Sequence, residues 1–243
     1  MKKTNTYTIT LATLAAAILT LTAACGGSAT KVVVAQGYKK QFAIDAALAL
    51  AIMDRAPEVI YYGDLKKSLG KAGTADTGAA ANAFVWEYFT AQMLRDIAGE
   101  IDVKNAFAAA PKNDFLVTKE VVVTRDEDVK IEIPDVGTRF TFDSGEAALV
   151  LFLHDIRVGT ETDPYYQERA EKGFYTTIAR KLIYIASFVL WDNRELKPIC
   201  YGRVKTSTPI IREEATIADW EEVSRDFVRA AFDPTGFRKR GKD

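Results

Sequence analysis

His154 is the sole histidine of the chain, and Asp155 follows it directly. An imidazole beside a carboxylate is the pairing that activates a hydroxyl nucleophile, with Ser187 or Ser144 as the serine to be activated. That chemistry needs a serine held in a sharp turn within hydrogen-bond reach of the ring. No Gly-x-Ser-x-Gly elbow exists, and Ser187 lies mid-run in Ala186-Ser187-Phe188. Successive strand residues face opposite ways, so Asp155 is not placed to orient the His154 ring. The pair reads as structural, and no catalytic residue is assigned.

Other constellations are thinner. With one histidine and two cysteines in the chain, a zinc cage is implausible. Asp126-Glu127-Asp128 lacks the glycine and distal glutamate of a calcium loop and reads as a hairpin turn. Residues 70–78 contain glycines but no Gly-Lys-Ser/Thr after four spacers, so they form no phosphate loop. Basic and aromatic residues do not interleave as a nucleic-acid platform requires. No metal, cofactor or nucleic acid is expected. Tyr165 and Tyr166, beside Asp163-Pro164, and Trp191 are the candidate contacts for a ligand or partner.

The sharpest pattern lies at the N-terminus. Lys2 and Lys3 precede a stretch without charge over residues 4–24, built from residue 8 onward only of Leu, Ile, Ala and Thr. A positive region, an apolar core and small residues at its end make a secretory signal. Ala23-Ala24-Cys25, followed by Gly26-Gly27-Ser28, resembles the lipobox of a bacterial lipoprotein, with Thr22 where leucine is usual. The resemblance implies that Cys25 becomes the mature N-terminus and carries a diacylglycerol thioether, usually with a third acyl chain on its amine. Each buried methylene contributes about 0.8 kcal/mol, so two or three chains hold a protein firmly on a bilayer. Gly26, in place of an aspartate, makes the outer membrane the expected destination, with the domain facing the periplasm. The expected layout is a signal peptide over 1–24, the lipidated cysteine and tether over 25–30, and one domain over 31–243. Cys200 is then alone, so stability must come from a packed core instead of a disulfide, and its thiol should be buried.

Composition agrees with a globular domain. The 243 residues are 48% apolar and 27% charged, with 32 basic against 33 acidic side chains. Disordered tails, collagen-like fibres, multi-pass membrane proteins and strongly basic nucleic-acid binders are excluded.

The elements follow from periodicity. Residues 31–35 and 58–62 read as short strands. Residues 41–55 carry Phe42, Ile44, Leu48, Ala51 and Ile52 at helical spacing and predict a helix ended by Ala56-Pro57. Residues 63–78 read as a loop with at most a short helix over 64–69. Residues 80–98 predict a helix with Phe84, Tyr88, Ala91, Leu94 and Ala98 in one stripe, and Phe89, Met93 and Ile97 beside it. The centre is β: residues 115–124, 129–133 and 138–142 predict strands. Residues 147–158 and 181–191 are apolar enough for strands buried on both faces. Residues 192–195 make a polar turn and residues 196–205 the return strand; residues 164–177 are a short helix or an excursion. Thr216 and Asp219 form a capping box for a last helix, with Ile217, Trp220, Val223, Phe227 and Ala231 on one face. Residues 238–242 read as a solvated basic tail. The fold class is mixed α/β: a single mixed sheet with helices packed against it and an amphipathic helix at the C-terminus.

One stretch carries a family likeness. Ala148-Leu149-Val150-Leu151-Phe152-Leu153, then Phe188-Val189-Leu190-Trp191-Asp192, a polar turn and Pro198-Ile199-Cys200-Tyr201-Gly202-Arg203-Val204 follow one another. This resembles the closing hairpin of periplasmic α/β domains in the curli-secretion lipoprotein family and in the N-terminal domain of the Tol translocation protein. Asn193-Arg194-Glu195 stands where the family has Thr-Gly-Glu. The resemblance implies a non-enzymatic envelope protein that works through other envelope proteins or copies of itself. A small-ligand carrier (peptide, sugar or lipid) and an envelope hydrolase using His154 are the alternatives.

Overall fold

A computed structural model describes residues 30–39, 44–53, 58–60, 78–124, 128–162, 180–210 and 215–239. In chain order the elements are β1 (Lys31–Val34), β2 (Ile44–Ile52), β3 (Glu58–Ile60), α1 (Gly78–Glu100), β4 (Val103–Ala108), β5 (Val117–Val123), β6 (Asp128–Pro134), β7 (Leu149–Thr162), β8 (Arg180–Asp192), β9 (Lys197–Ile210) and α2 (Ile217–Phe232). A 3-10 turn over Asp233–Thr235 follows α2.

The two apolar runs become β7 and β8, the middle of a seven-stranded sheet ordered β1-β9-β8-β7-β2-β4, with β3 also on β7. Strands β1, β9, β8 and β7 pair antiparallel, whereas β2 and β3 run parallel to β7, and β4 parallel to β2. The sheet is therefore mixed, as the sequence led us to expect. Both of its faces are covered. Leu48 and Leu50 of β2, Leu151 of β7 and Phe188 of β8 point to a core roofed by α1 and α2. Ala51, Phe152, Val189 and Trp191 point the other way, under the β5–β6 hairpin, whose Val122, Val129, Ile131 and Ile133 close a second core. Alternate residues thus serve opposite cores, which is why these strands read as continuous apolar runs.

Several expectations change. Residues 44–52 form the strand β2 instead of a helix. β2 lies between parallel neighbours, and its leucines and alanines alternate between the two cores. Small alanines suit the side facing the hairpin, and burial on two faces outweighs their helical preference. Residues 138–142 form no strand, although Phe140 and Phe142 are buried as their alternation suggests. In α1 the buried line is Phe89, Met93 and Ile97, while Ala91 and Ala98 are exposed.

The capping box of α2 forms as expected: the Asp219 amide donates to Thr216 Oγ1 at 3.3 Å, and the Thr216 amide to the Asp219 carboxylate at 2.7 Å. Trp220, Val223, Phe227 and Ala231 are buried, and Ile217 is exposed. Of the expected basic tail over 238–242 only Arg238 and Lys239 are described, and Lys239 is exposed. Phe237 is fully buried, the Lys239 amide bonds Glu100 O at 2.7 Å, and Lys239 Nζ donates to Ala98 O at 2.6 Å. A cation on the last carbonyls of α1 complements the helix dipole there. The segments 63–77, 125–127 and 163–179, which hold the expected loop, most of the acidic turn and the excursion, lie outside the described residues.

Candidate functional site

The sequence candidates separate in space. Cys25, Tyr165 and Tyr166 lie outside the described residues. Trp191 is fully buried in the hairpin-side core, with the Phe140 ring edge-on at 5.7 Å. It offers no surface to a ligand or partner, so its role as a contact is corrected to that of a core residue. Cys200 is buried, its Sγ 3.8 Å from Ala231 O, and desolvation pushes its thiol well above the ordinary range. It is not a thiolate nucleophile.

His154, Asp155 and Ser187 do come together, through two features of the sheet. His154 and Ser187 are cross-strand partners, and Ser187 is in turn opposite Arg203. The β7–β8 register then slips between His154 and Arg157, where Asp155 adopts φ 49°. This bulge brings the Asp155 carboxylate to the same side as Arg203, which strict alternation from His154 does not anticipate. Arg203 Nη1 donates to Asp155 Oδ2 and, at 3.0 Å, to Ser187 Oγ; Arg157 Nε lies 3.5 Å from Asp155 Oδ1. Arg203 is only 3% exposed.

The chemistry of this group follows from its donors. A guanidinium stays protonated and cannot take the proton of Ser187. The described bond to the serine oxygen comes from a cation, and the carboxylate is held by two arginines. The arrangement neutralises a buried arginine, as burial of a charge requires. Sequence reasoning passed over Arg203; its signal was a cation in the middle of an otherwise buried strand.

Two further polar groups were not foreseen. Asn193, 6% exposed, accepts from the Phe140 amide at 2.7 Å and donates to Phe140 O and Ala147 O, each at 2.9 Å. Together with Asn113, which bonds Arg139 O and the Thr141 amide, this amide holds the 138–142 segment over the second core. Between the helices, Asp96 is 5% exposed, accepts from Gln92 at 3.0 Å and lies 4.0 Å from Arg225 Nε. Burial pushes its carboxyl up, against the pull of Ser224, Gln92, Arg225 and Arg95.

An apolar pocket between α1 and the sheet, lined by residues including Phe89, Met93, Ile156 and Tyr184, has a volume of about 10 Å³. That is room for about one water molecule and not for a small ligand. Among the described residues no helix is long and apolar enough to cross a membrane.

No family model matches the chain, and no curated protein matches it. Two solved structures of PelC dodecamers from Paraburkholderia phytofirmans, one of them a single-substitution variant, share a distant likeness. They are 10% and 9% identical, with TM-scores of 0.36 and 0.35; in both cases 88% of this chain aligns with 100% of the other.

Proposed function

We propose that this chain is a lipid-anchored protein of the bacterial cell envelope, held at the outer membrane through Cys25. There it serves as a non-catalytic binding or assembly factor, facing the periplasm and working with other envelope proteins or with copies of itself. The observation that carries the reading is the ordered run Lys2-Lys3, an uncharged apolar core, Ala23-Ala24-Cys25 and a Gly/Ser tether. The site geometry supports the non-catalytic part: the serine nearest the histidine in register is hydrogen-bonded by an arginine.

The surface offered to a protein partner is the hairpin layer. Leu116, Val121, Val123 and Val136, on β5 or flanking the hairpin, are each more than half exposed. β5 is also an outer strand of its two-stranded sheet, and such edges accept further strands.

The anchor is tested by Cys25→Ser. The variant is expected to leave the membrane fraction during a carbonate wash that retains the native chain. A variant that stays bound contradicts lipid anchoring. The partner is tested by crosslinking the native chain in membranes and identifying what co-purifies. Recovery of envelope proteins or of ladders of the chain itself supports an assembly factor, and recovery of the monomer alone contradicts it.

A further inference from the structure

Among the described residues six large apolar side chains are exposed, and five of them belong to β1 or to the hairpin layer. Val34 is on β1, Val121 and Val123 are on β5, and Leu116 and Val136 flank the hairpin. β1 and β5 meet at a flank where two layers end one above the other. β6 packs over β8 and β9, which leaves β5 over β1. Among the described residues β1 pairs only with β9, and β5 only with β6. Each therefore turns one row of backbone N–H and C=O groups outward, and stacked layers lie about 10 Å apart.

Both cores are unfinished at this flank. Val32 packs against the helix-side core and Val33 against the hairpin-side core, and neither is fully buried. Valine fills seven of the eleven positions of β1 and β5, and it suits pairing on a pleated surface. The opposite flank is built differently. Its last strand, β4, exposes Lys104 and Asn105, and the β2–β4 register slips between Ile44 and Ala47. Charge and irregularity of that kind keep an edge from taking another strand.

The size of the β1–β5 flank decides what can cover it. It comprises thirteen residues: the four of β1, the seven of β5, and Leu116 and Val136. At roughly 35 Å² per interface residue they offer about 450 Å² a side, or about 900 Å² between two partners. A single added strand engages one edge only and reaches about half of that area at most. A partner that fills the flank must itself end in two stacked edges, and this chain presents such a pair.

We infer that the β1–β5 flank binds the same flank of a second copy of this chain, about a two-fold axis perpendicular to the sheets. Such an axis lays each edge strand antiparallel to its copy, so both layers continue across the interface. The inference rests on the reading of the chain as an envelope assembly factor and names its partner. An interface of about 900 Å² associates weakly and reversibly, and confinement of the chains to one membrane surface favours it by mass action.

The axis also restricts the register. Each side chain keeps its face, so a residue meets only itself or residues an even number of positions away. Centring β5 on Glu120 sets two carboxylates opposite each other, and centring it on Lys119 sets two ammoniums. Centring on Val122 leaves three pairs within β5, whereas centring on Val121 gives five. In that register Lys119 faces Val123, Glu120 faces Val122, and Val121 faces its own copy. Residues opposite in an antiparallel ladder have Cα atoms about 4.5–5.5 Å apart, within disulfide reach.

The test uses the full chain in its own membranes, with one cysteine added at a time and oxidised with copper phenanthroline. Val121→Cys is expected to give a disulfide-linked dimer on a non-reducing gel, several-fold above the native chain. Lys130→Cys is the control. Lys130 is exposed and opposite Val121 on β6, one strand further from the axis. Two copies of it stand about 14 Å apart, beyond disulfide reach, and should give only the native background. Adding Val123→Lys to Val121→Cys should lower the yield to that background, because it sets a lysine opposite Lys119.

Equal yields from positions 121 and 130 overturn the inference, and lysine crosslinking of the native chain then tests the assembly-factor reading separately. A Val121→Cys chain caught on another envelope protein and not on itself also overturns it, while keeping that reading. A Val121→Cys dimer in a chain recovered from the soluble fraction keeps the interface and loses the anchor.

Discussion

At the scale of single residues, charge and its burial decide most of what can be measured. Arg229 reaches Glu100 through two bonds of 2.9 Å, and this contact holds the Glu100 carboxyl below its ordinary range. Asp96, one helical turn earlier, is pushed the opposite way by burial. The two should leave opposite signatures in pH. A lowered carboxyl adds stability above its unfolded value and loses it as pH falls through the folded one. A raised carboxyl costs stability as pH rises, and the cost disappears in acid. Glu100→Gln is therefore expected to lower the melting temperature at neutral pH, and Asp96→Asn to raise it. The Asp96→Asn difference should disappear once pH falls below the ordinary carboxylate range, whereas the Glu100→Gln difference should disappear only at still lower pH, below the folded value of Glu100. An Asp96→Asn melt unchanged at neutral pH would show that the polar neighbours of Asp96 fully offset its burial. Asn193 offers a harsher test. Asn193→Ala removes three bonds and leaves two buried carbonyls and an amide without them, a loss of about 3 kcal/mol in urea unfolding.

At the scale of elements, what was legible depended on whether a segment's own pattern matched its surroundings. α2 was readable to the residue because its cap is local: Thr216 and Asp219 are three apart and bond each other. β7, β8 and the turn at 193–196 were readable because strands buried on both faces are apolar throughout. β2 was misread for the same reason in reverse. A two-sided apolar strand rich in alanine has no period of its own, and its identity comes from β4 and β7, more than fifty residues away in sequence. The clustering of Asp155 with Arg203 was illegible because it depends on a bulge, and a slip in register leaves little trace in residue types. Gly202 was likewise silent in sequence, yet the structure explains it: a Cβ there would lie 2.0 Å from Lys31 O. Gly202→Ala should push β1 off the sheet at a cost of roughly 1–3 kcal/mol. Amide exchange in residues 31–35 should then accelerate while that of β8 stays slow. Unchanged protection of β1 would mean that β9 yields instead.

At the scale of the whole molecule, three layers divide the work: helices on one side, a sheet that fills two cores, and a hairpin on the other side. The entry of the chain through β1 has a further, mechanical consequence. β1 is an outer strand held to β9 by four paired positions, antiparallel to it. A pull on residue 30 along the strand loads all of those bonds at once, in shear. A pull perpendicular to the strand opens them one after another from Lys31, as a zip opens. The same four-residue ladder is thus a strong joint or a weak one according to the direction of the load. A domain lying flat on its tether is in the strong direction, and one drawn upright is in the weak one.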